Sequence, residues 1–213
     1  MGQKVNPNAA RLVLTKNWSS KWFMGDPKKY KELLLSDVAI RRLVMERLKP
    51  AGGSRVIIER PAGKINLIIQ VARPGMVIGR GGSGVEELRK LIEKEIGSQV
   101  TLNVEEIKRP DLDAHLVARG VADQIERRYP VKRAMMQAVD RVMRSGAIGV
   151  KIICSGRIGG REIARKEKQS RGSIPTSTLR ANISFAKADA KTATAGVLGV
   201  KIWIHKEDEK NKE

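Results

Sequence analysis

The sequence predicts a mixed α/β (α+β) protein of two domains, the second of which contains two helices and a four-stranded sheet. Its 213 residues are 41% hydrophobic, which is enough for one or two packed cores. Apolar residues recur at helical spacing in some segments and alternate in others, so both helices and strands are expected. No apolar run approaches the ~18 residues that a membrane-spanning helix needs, so we expect no membrane partner.

Composition and the positions of glycine and proline residues divide the chain into four segments. These are a basic arm over residues 1–30, a first domain over 31–108, a second domain over 109–205 and a charged tail over 206–213. The arm shows no period, and its aromatic residues Trp18, Trp22 and Phe23 can anchor it on a core or on a partner. Lys108-Arg109-Pro110 marks the predicted boundary between the two domains.

The first domain is expected to begin with a helix and a hairpin. Ser36 or Asp37 is predicted to cap the helix, because apolar residues recur at helical spacing after them. Residues 55–60 and 65–71 have the pattern of paired strands, and residues 61–64 supply the turn between them.

A glycine-rich loop, a second helix and a third strand complete the first domain. Ser83 is predicted to cap this helix in a capping box, with Glu86 three residues later. Gly97 is predicted to end the helix, because glycine favours the left-handed conformation at a helix C terminus. Alternation over residues 100–104 predicts the strand.

Two helices open the second domain, and strands follow. Asp111 is expected to cap the first helix, and Tyr129-Pro130 separates it from the second. Strands are predicted over residues 146–152, 161–171, 179–187 and 196–202. The first and last have similar sequences, GAIGVKI and GVLGVKI, which predicts equivalent positions in one sheet.

Polar and apolar residues occupy opposite sides of the second helix in this domain. The apolar side contains Met135, Ala138, Val139 and Val142. At ~100° per residue, the other side contains Arg133, Gln137, Arg141 and Arg144. This polar side is either an ordinary solvated surface or a surface that faces RNA phosphates.

Positive charge is concentrated in two parts of the chain. The whole sequence has 42 Lys and Arg against 23 Asp and Glu, a net charge of +19. Residues 1–50 carry +7 and residues 146–205 carry +8, whereas residues 51–107 carry only +1. A chain with this charge is expected to bind a polyanion, and nucleic acid is the first candidate.

The glycine-rich loop admits two chemical interpretations. Its sequence GRGGSG, residues 79–84, matches the G-x-G-x-x-G dinucleotide fingerprint, with Glu105 and Glu106 downstream. However, Pro74-Gly75 interrupts the strand that must lead directly into such a loop. A nucleotide-dependent oxidoreductase is therefore disfavoured, and no cofactor is expected.

The sequence VIGRGG, residues 77–82, instead resembles the GXXG loop of KH domains. Glycines let a backbone approach a sugar-phosphate chain closely, and the N terminus of the next helix attracts negative charge. Gly79, Arg80, Gly81 and Gly82 are therefore the predicted RNA-binding loop. The alternative is a tight strand-to-helix turn that needs glycine for conformational reasons alone.

Several longer motifs extend the resemblance over almost the whole chain. They are MGQKVNP at residues 1–7, IERP at 58–61, ARPGMVIG at 72–79, SGRIGG at 155–160, EIAR at 162–165 and GVLGVKIWI at 196–204. On these motifs the chain resembles the bacterial-type ribosomal protein S-three family, KH-containing proteins of the small-subunit head. The resemblance implies an N-terminal type II KH domain and a C-terminal α/β domain.

The resemblance also implies partners and a location. These are small-subunit rRNA, mRNA at the channel by which it enters the ribosome, and neighbouring head proteins in the cytoplasmic ribosome, without homo-oligomers. The basic side chains at that channel correspond to Lys132 and Arg133, while a third position that is often basic is Met136. Lys168-Gln169 stands where the family usually carries an aromatic pair.

Candidates for rRNA contacts come from three parts of the sequence. They are Lys4 in the arm, Arg141 and Arg144 on the polar side of the second helix, and a dense basic cluster in the second domain formed by Arg157, Arg161, Arg165, Lys166, Lys168 and Arg171. Alternation would place Arg161, Arg165 and Arg171 on one side of an extended strand, in a ribbon suited to phosphates. Solvation of an ordinary surface is the alternative.

Catalysis and metal binding are not expected from this sequence. Cys154 is the single cysteine and lies in an apolar strand pattern, and His115 and His205 lack partner motifs. The predicted function is that of a non-enzymatic constituent of the small ribosomal subunit that binds rRNA and helps hold and passively unwind mRNA. A free-standing KH regulator of mRNA outside the ribosome is the alternative.

Overall fold

The computed structural model describes residues 4–61, 64–193 and 196–207 and divides the chain into two compact units. One unit is Trp18–Lys108, and the other joins Met1–Asn17 to Arg109–Glu213. Residues 1–3 of the predicted arm, part of the predicted hairpin turn at 62–63 and most of the predicted tail, from 208 onward, lie outside the described residues. In the described ranges, no helix is long and apolar enough to cross a membrane.

The arm predicted over residues 1–30 is not one segment, because the chain passes from one unit to the other after Asn17. Its first described part contains the short helix α1 (Pro7–Ala10), followed by the fully buried Arg11. The Arg11 guanidinium donates hydrogen bonds of 2.8–3.4 Å to the carbonyls of Pro7, Pro175, Thr176, Thr178 and Ala181. Asn8 Nδ2 also donates to Phe185 O at 2.9 Å. These bonds attach the segment to the second half of the chain.

The unit Trp18–Lys108 consists of a four-stranded sheet and three helices. In chain order its elements are β1 (Ser20–Lys21), α2 (Pro27–Arg47), β2 (Gly53–Glu59), β3 (Ile65–Val71), α3 (Pro74–Ile78), α4 (Ser83–Ile96) and β4 (Val100–Glu106). The strand order is β1-β2-β3-β4, with β2 and β3 antiparallel and the other two pairs parallel. Alternate residues of the hairpin are buried with one face of α2 and α4, as the sequence pattern predicts.

Helix α2 begins about three turns before the predicted Ser36 or Asp37 cap, and that prediction is wrong. Asp26 is the N-cap, its carboxylate accepting from Lys28 N at 3.0 Å, and Pro27 follows at the first helical position. Asp37 instead lies buried within the helix. A carboxylate that the sequence marks as a cap therefore serves another purpose.

That purpose is to hold the segment that follows Asn17. The Asp37 carboxylate accepts from Trp22 Nε1 at 2.8 Å, from Ser20 Oγ at 3.2 Å and from the Arg60 guanidinium at 2.6 Å. Trp22 is thereby anchored on its own unit, whereas Phe23 is 90% exposed. The aromatic residues of the predicted arm thus have different environments.

The unit that joins Met1–Asn17 to Arg109–Glu213 places two helices on an antiparallel sheet. After α1 its elements are α5 (Ala114–Glu126), α6 (Val131–Arg144), β5 (Gly149–Gly156), β6 (Arg165–Gly172), β7 (Ile183–Thr192) and β8 (Gly196–His205). The strand order is β6-β5-β8-β7. The two similar segments predicted to hold equivalent places form β5 and β8, which are paired at the centre of this sheet.

Several boundaries in this unit differ from the prediction. Asp113, not Asp111, caps α5, its carboxylate accepting from His115 N at 2.8 Å. Strand β6 begins four residues later than expected, after a short 3-10 turn at Ile158–Gly160 and a hydrogen bond from Arg157 Nε to Arg161 O. Strand β7 also begins four residues late, because the carbonyls before it turn toward Arg11.

The core of this unit lies between the two helices and one face of the sheet. Residues Val150, Ile152 and Cys154 of β5 are buried there with the apolar sides of α5 and α6. Burial, with a smaller contribution from the charge of Glu167, raises the pKa of the Cys154 thiol to about 11. The thiol therefore behaves as a small apolar core residue.

Replacing Arg11 tests whether its buried hydrogen bonds hold the N-terminal segment. Arg11→Ala is expected to lower the free energy of unfolding by about 2–4 kcal/mol, because several hydrogen bonds from a charged donor are lost. Arg11→Lys should fall between this variant and the wild type, since an ammonium cannot reproduce the fork of the guanidinium. The measurement is urea unfolding of the full chain, followed by circular dichroism.

The control is Arg47→Ala in the exposed last turn of α2, which should change stability by no more than about 0.5 kcal/mol. Equal stabilities of the Arg11→Ala and Arg47→Ala variants would show that the guanidinium does not hold the segment.

Candidate nucleic-acid interface

The glycine loop connects two helices, α3 and α4, and not a strand and a helix as expected. Gly79 ends α3 with φ 69° and ψ −177°, while Gly81 and Gly82 have φ values of 62° and 84°. Side chains rarely adopt these left-handed values, so each position favours glycine. Gly84 is required for a different reason, because a Cβ there would lie 2.4 Å from Val77 O.

The loop presents its backbone to open space. A Cβ built on Gly81 or Gly82 would have no neighbouring atom within 4 Å, and the Arg80 side chain is exposed beside them. The predicted residues Gly79 to Gly82 are therefore together, with three glycines and one cation at an uncovered turn. A flexible chain such as a sugar-phosphate backbone can therefore approach the main chain of Gly81 and Gly82 closely.

The N terminus of α4 lies next to this turn, but the predicted capping box does not form. Gly82 is the N-cap, in the left-handed conformation, and no side chain accepts a hydrogen bond from the first turn. Ser83 is the first helical residue, and Glu86 lies in the first turn. Gly97 ends the helix in the left-handed conformation, as predicted. The positive end of a 14-residue helix is thus not neutralised by a capping side chain.

Helix α6 carries the next group of predicted residues, and its two sides are as the sequence predicts. Met135, Ala138, Val139 and Val142 are buried, whereas Lys132, Arg133, Arg141 and Arg144 are exposed. Met136, at 57% exposure, lies on the exposed side near Lys132 and Arg133. The first turn therefore offers two cations to a partner, and the last turn offers two more.

A cleft of about 800 Å³ adjoins the start of α6. Lys132 and Arg165, two predicted residues that are distant in sequence, both line it, as do Arg128 and the half-exposed Tyr129. Glu126 and Glu167 also line the cleft, and Arg165 pairs with Glu167 at 3.0 Å. The cleft thus has a mixed lining in which cations predominate.

The predicted ribbon of arginines is only partly formed. Arg165 and Arg171 lie on the same face of β6, but Arg161 precedes the strand and that part of the prediction is wrong. Arg157 Nε donates to Arg161 O at 3.0 Å, which fixes the turn before β6. Arg171 pairs with Asp140 of α6 at 2.9 Å, so this face of β6 is directed toward the helices.

Lys166 and Lys168 occupy the opposite face of β6, away from the helices. Strand registers place Lys151 of β5, Lys201 of β8 and Lys187 of β7 on the same face. We call these five residues the lysine face. Burial, and then the charges of Lys4 and Lys168, lower the pKa of Lys151. Lys4 therefore lies near the lysine face.

Lys151, Lys187 and Lys201 were not among the residues predicted to contact RNA. Each alternates with buried residues in its own strand, and this signal is visible in the sequence. Their juxtaposition, however, depends on the strand order β6-β5-β8-β7 and on the register, which alternation alone does not specify.

Comparison with known families agrees with this architecture. The model of the KH domain matches residues 39–112, and the model described as "Ribosomal protein S3, C-terminal domain" matches residues 121–204. The predicted fold class, a KH domain followed by a two-helix, four-stranded domain, is confirmed.

Several relatives that match almost from end to end are small ribosomal subunit proteins uS3. The protein of Carboxydothermus hydrogenoformans is 50% identical, with 97% of this chain and 92% of the relative covered. That of Shouchella clausii is 51% identical and that of Legionella pneumophila 48%, each with 97% of this chain and 93% of the relative covered. The resemblance predicted from the motifs is confirmed, and the chain belongs to the uS3 family of small ribosomal subunit proteins.

Proposed function

We propose that this protein is a structural constituent of the head of the small ribosomal subunit, where it binds rRNA and lines the channel by which mRNA enters. The observation that carries the proposal is the similarity to uS3 proteins over 97% of the chain. Proteins of this family are ribosomal structural proteins and not enzymes, and in bacteria they belong to the cytoplasmic ribosome. Neighbouring head proteins are the other partners that we propose, with a single copy in each subunit.

The glycine loop supports RNA binding through geometry and not through net charge. Gly81 and Gly82 leave the backbone open, Arg80 adds one cation, and the uncapped start of α4 adds the positive end of a helix. Such a loop binds the sugar-phosphate backbone of a single strand and leaves its bases to lie on the neighbouring surface. We propose Gly79, Arg80, Gly81 and Gly82 as the residues of this contact.

Contacts with rRNA phosphates are proposed for the exposed basic residues of the other unit. They are Lys4, Arg141, Arg144, Arg157, Arg161, Arg165, Lys166, Lys168 and Arg171. Ion pairs reduce the capacity of Arg165 and Arg171 for new contacts, since Glu167 and Asp140 already bind them. The contacts position the protein without selecting a sequence, because phosphates are common to all RNA.

Lys132 and Arg133 are proposed to hold the incoming mRNA. Both are exposed in the first turn of α6, and Lys132 lines the cleft that Arg165 shares. Their action is electrostatic, because cations that hold separated single strands oppose their pairing. Met136 provides no third charge on this side of the helix.

The ribosomal assignment is tested by sedimentation of the full chain. In sucrose gradients at low magnesium concentration, where the subunits separate, the protein is expected in the small-subunit fraction. Protein found only in the free fraction would contradict the assignment and would favour a KH regulator that acts outside the ribosome.

Introducing carboxylates into the glycine loop tests its contact with RNA. Arg80→Asp with Gly81→Asp in the full chain should weaken binding to a short single-stranded RNA by at least about tenfold, because the new charges repel phosphates. The matched control is Lys94→Asp with Gly97→Asp at the other end of α4. Gly97 is also left-handed (φ 71°) with open space around it, and the change in charge is the same. Equal weakening in both variants would show that only net charge matters.

Neutralising the start of α6 tests the proposed contact with mRNA. Small subunits carrying Lys132→Ala with Arg133→Ala should slow translation through a stable mRNA hairpin severalfold, while an unstructured mRNA is translated at the normal rate. The control is Lys28→Ala with Lys29→Ala in the exposed first turn of α2. Equal rates of the two variants on the hairpin would contradict the proposal, as would equal slowing on both mRNAs.

A further inference from the structure

The sheet β6-β5-β8-β7 has two chemically different faces. Helices α5 and α6 cover one face, where Val150 and Ile152 of β5 and Val200 and Ile202 of β8 are buried. The other face carries the residues between them, including Lys151 and Lys201. Within the described part of this unit, α5 and α6 belong to the first face, and the short helix α1 contacts β7.

Three lysines of this face lie in one row across the sheet. Lys168 of β6 is paired with Ile153 of β5, Ile153 with Lys201 of β8, and Lys201 with Lys187 of β7. We call Lys168, Lys201 and Lys187 the lysine row. All three are exposed, and Lys166 and Lys151 lie in the two adjacent rows. Paired strands are ~4.8 Å apart, so the row spans about 15 Å of surface.

This arrangement is electrostatically unfavourable in the isolated protein. Like charges directly opposite each other, as in the pair Lys187 and Lys201, destabilise a sheet. In the described part of the chain, none of the five lysines forms an ion pair. Asp189 is the one acidic residue at the registered positions of this face. A polyanion that contacts the face would relieve the repulsion.

We propose that the lysine face is a docking surface for the phosphate backbone of RNA. The inference depends on the proposed ribosomal function and adds residues to it, because Lys151, Lys187 and Lys201 were not among the expected contacts. Exposed ammonium groups on flexible stems suit phosphates, whose spacing varies along a chain.

The chemistry of the face favours RNA phosphates over other polyanions and over base recognition. Trp203 is only 8% exposed and Lys151 lies 5.4 Å from the centre of its ring, so the ring does not offer a stacking platform. Val197, at the end of β8, is the one exposed large apolar residue at the described positions of the face. A protein partner would need more apolar anchors than this. Binding by phosphates alone predicts no dependence on sequence.

The experiment compares two triple variants of the full chain. Lys168→Gln, Lys187→Gln and Lys201→Gln remove the lysine row, while Lys28→Gln, Lys29→Gln and Lys31→Gln remove the same charge from the exposed start of α2. Binding to a fluorescent 24-nucleotide single-stranded RNA is measured over a series of KCl concentrations, with a uridine homopolymer and with a mixed sequence. A third variant replaces the row with arginine.

Loss of three phosphate contacts should reduce the slope of log K against log[KCl] by about 2, with ~0.7 for each contact. We expect this reduction of the slope for both RNAs in the glutamine row variant. The slope of the α2 control should change by less than about 1. The arginine row variant should recover the wild-type slope. The glutamine row variant should also unfold at a temperature no lower than the wild type at low salt, since repulsion is removed.

Three results would overturn the inference. The first is an equal slope of log K against log[KCl] for the row variant and the α2 control. The second is a reduced slope with only one of the two RNA sequences. The third is an unchanged slope with RNA together with lost binding of the row variant to polyglutamate, measured in the same way as a probe for an acidic protein. The last would assign the face to an acidic protein. If one of these results is found while the wild-type protein sediments with small subunits, the inference about the lysine face fails and the ribosomal function stands. Wild-type protein absent from the small-subunit fraction contradicts that function instead.

Discussion

A charged side chain can leave water only if its polar atoms keep hydrogen-bond partners, and this constraint determines the path of the first forty residues. Arg11 and Asp37 are the buried charged residues of the described chain. Arg11 has only donors and is surrounded by carbonyl oxygens, whereas Asp37 has only acceptors and is surrounded by N–H and O–H groups. Each therefore attaches a different stretch of the N-terminal chain to a different unit.

The Arg11 contacts also determine how much of the second sheet is exposed. Asn8, three residues before Arg11, donates to Phe185 O, so the N-terminal segment lies along β7. Ile183 and Trp203 are buried although they face away from α5 and α6. Lys187 and Lys201, farther along the same strands, are exposed. The part of the face next to the Arg11 contacts is thus buried, whereas the basic part of the same face is exposed.

Much of the fold could be predicted from local signals. The hairpin strands, the left-handed Gly97 and the apolar side of α6 were all predicted correctly, because each follows from the periodicity or conformational preference of nearby residues. The functions of Asp37 and Ser83 were not predicted, since an acidic or hydroxyl residue before an apolar run looks like a cap wherever it stands. Arg11 is harder still, because its carbonyl partners include those of residues 175–181, far along the chain.

The same distinction applies to the candidate sites. The glycine loop could be predicted because its requirements are local: three left-handed backbone positions and one close approach between Gly84 and Val77 O. The basic ribbon was predicted only in part, since a strand that begins at Arg165 excludes Arg161. Of the lysine face only Lys166 and Lys168 were predicted to contact RNA, because the five lysines come together only when four separate strands are aligned in one register.

Geometry and charge are therefore supplied by different parts of the molecule. Residues 51–107, which contain the glycine loop, carry a net charge of only +1. An open backbone turn needs few cations, because its hydrogen-bond donors are main-chain N–H groups and its positive end belongs to a helix. Residues 146–205 carry +8 and contain the lysine face on a rigid sheet. A flat basic face cannot select a single strand by shape. A loop with one cation cannot retain a large RNA at high salt concentration. A protein that must dock on folded RNA and also contact a single strand needs both kinds of surface, and in this chain the two belong to different compact units.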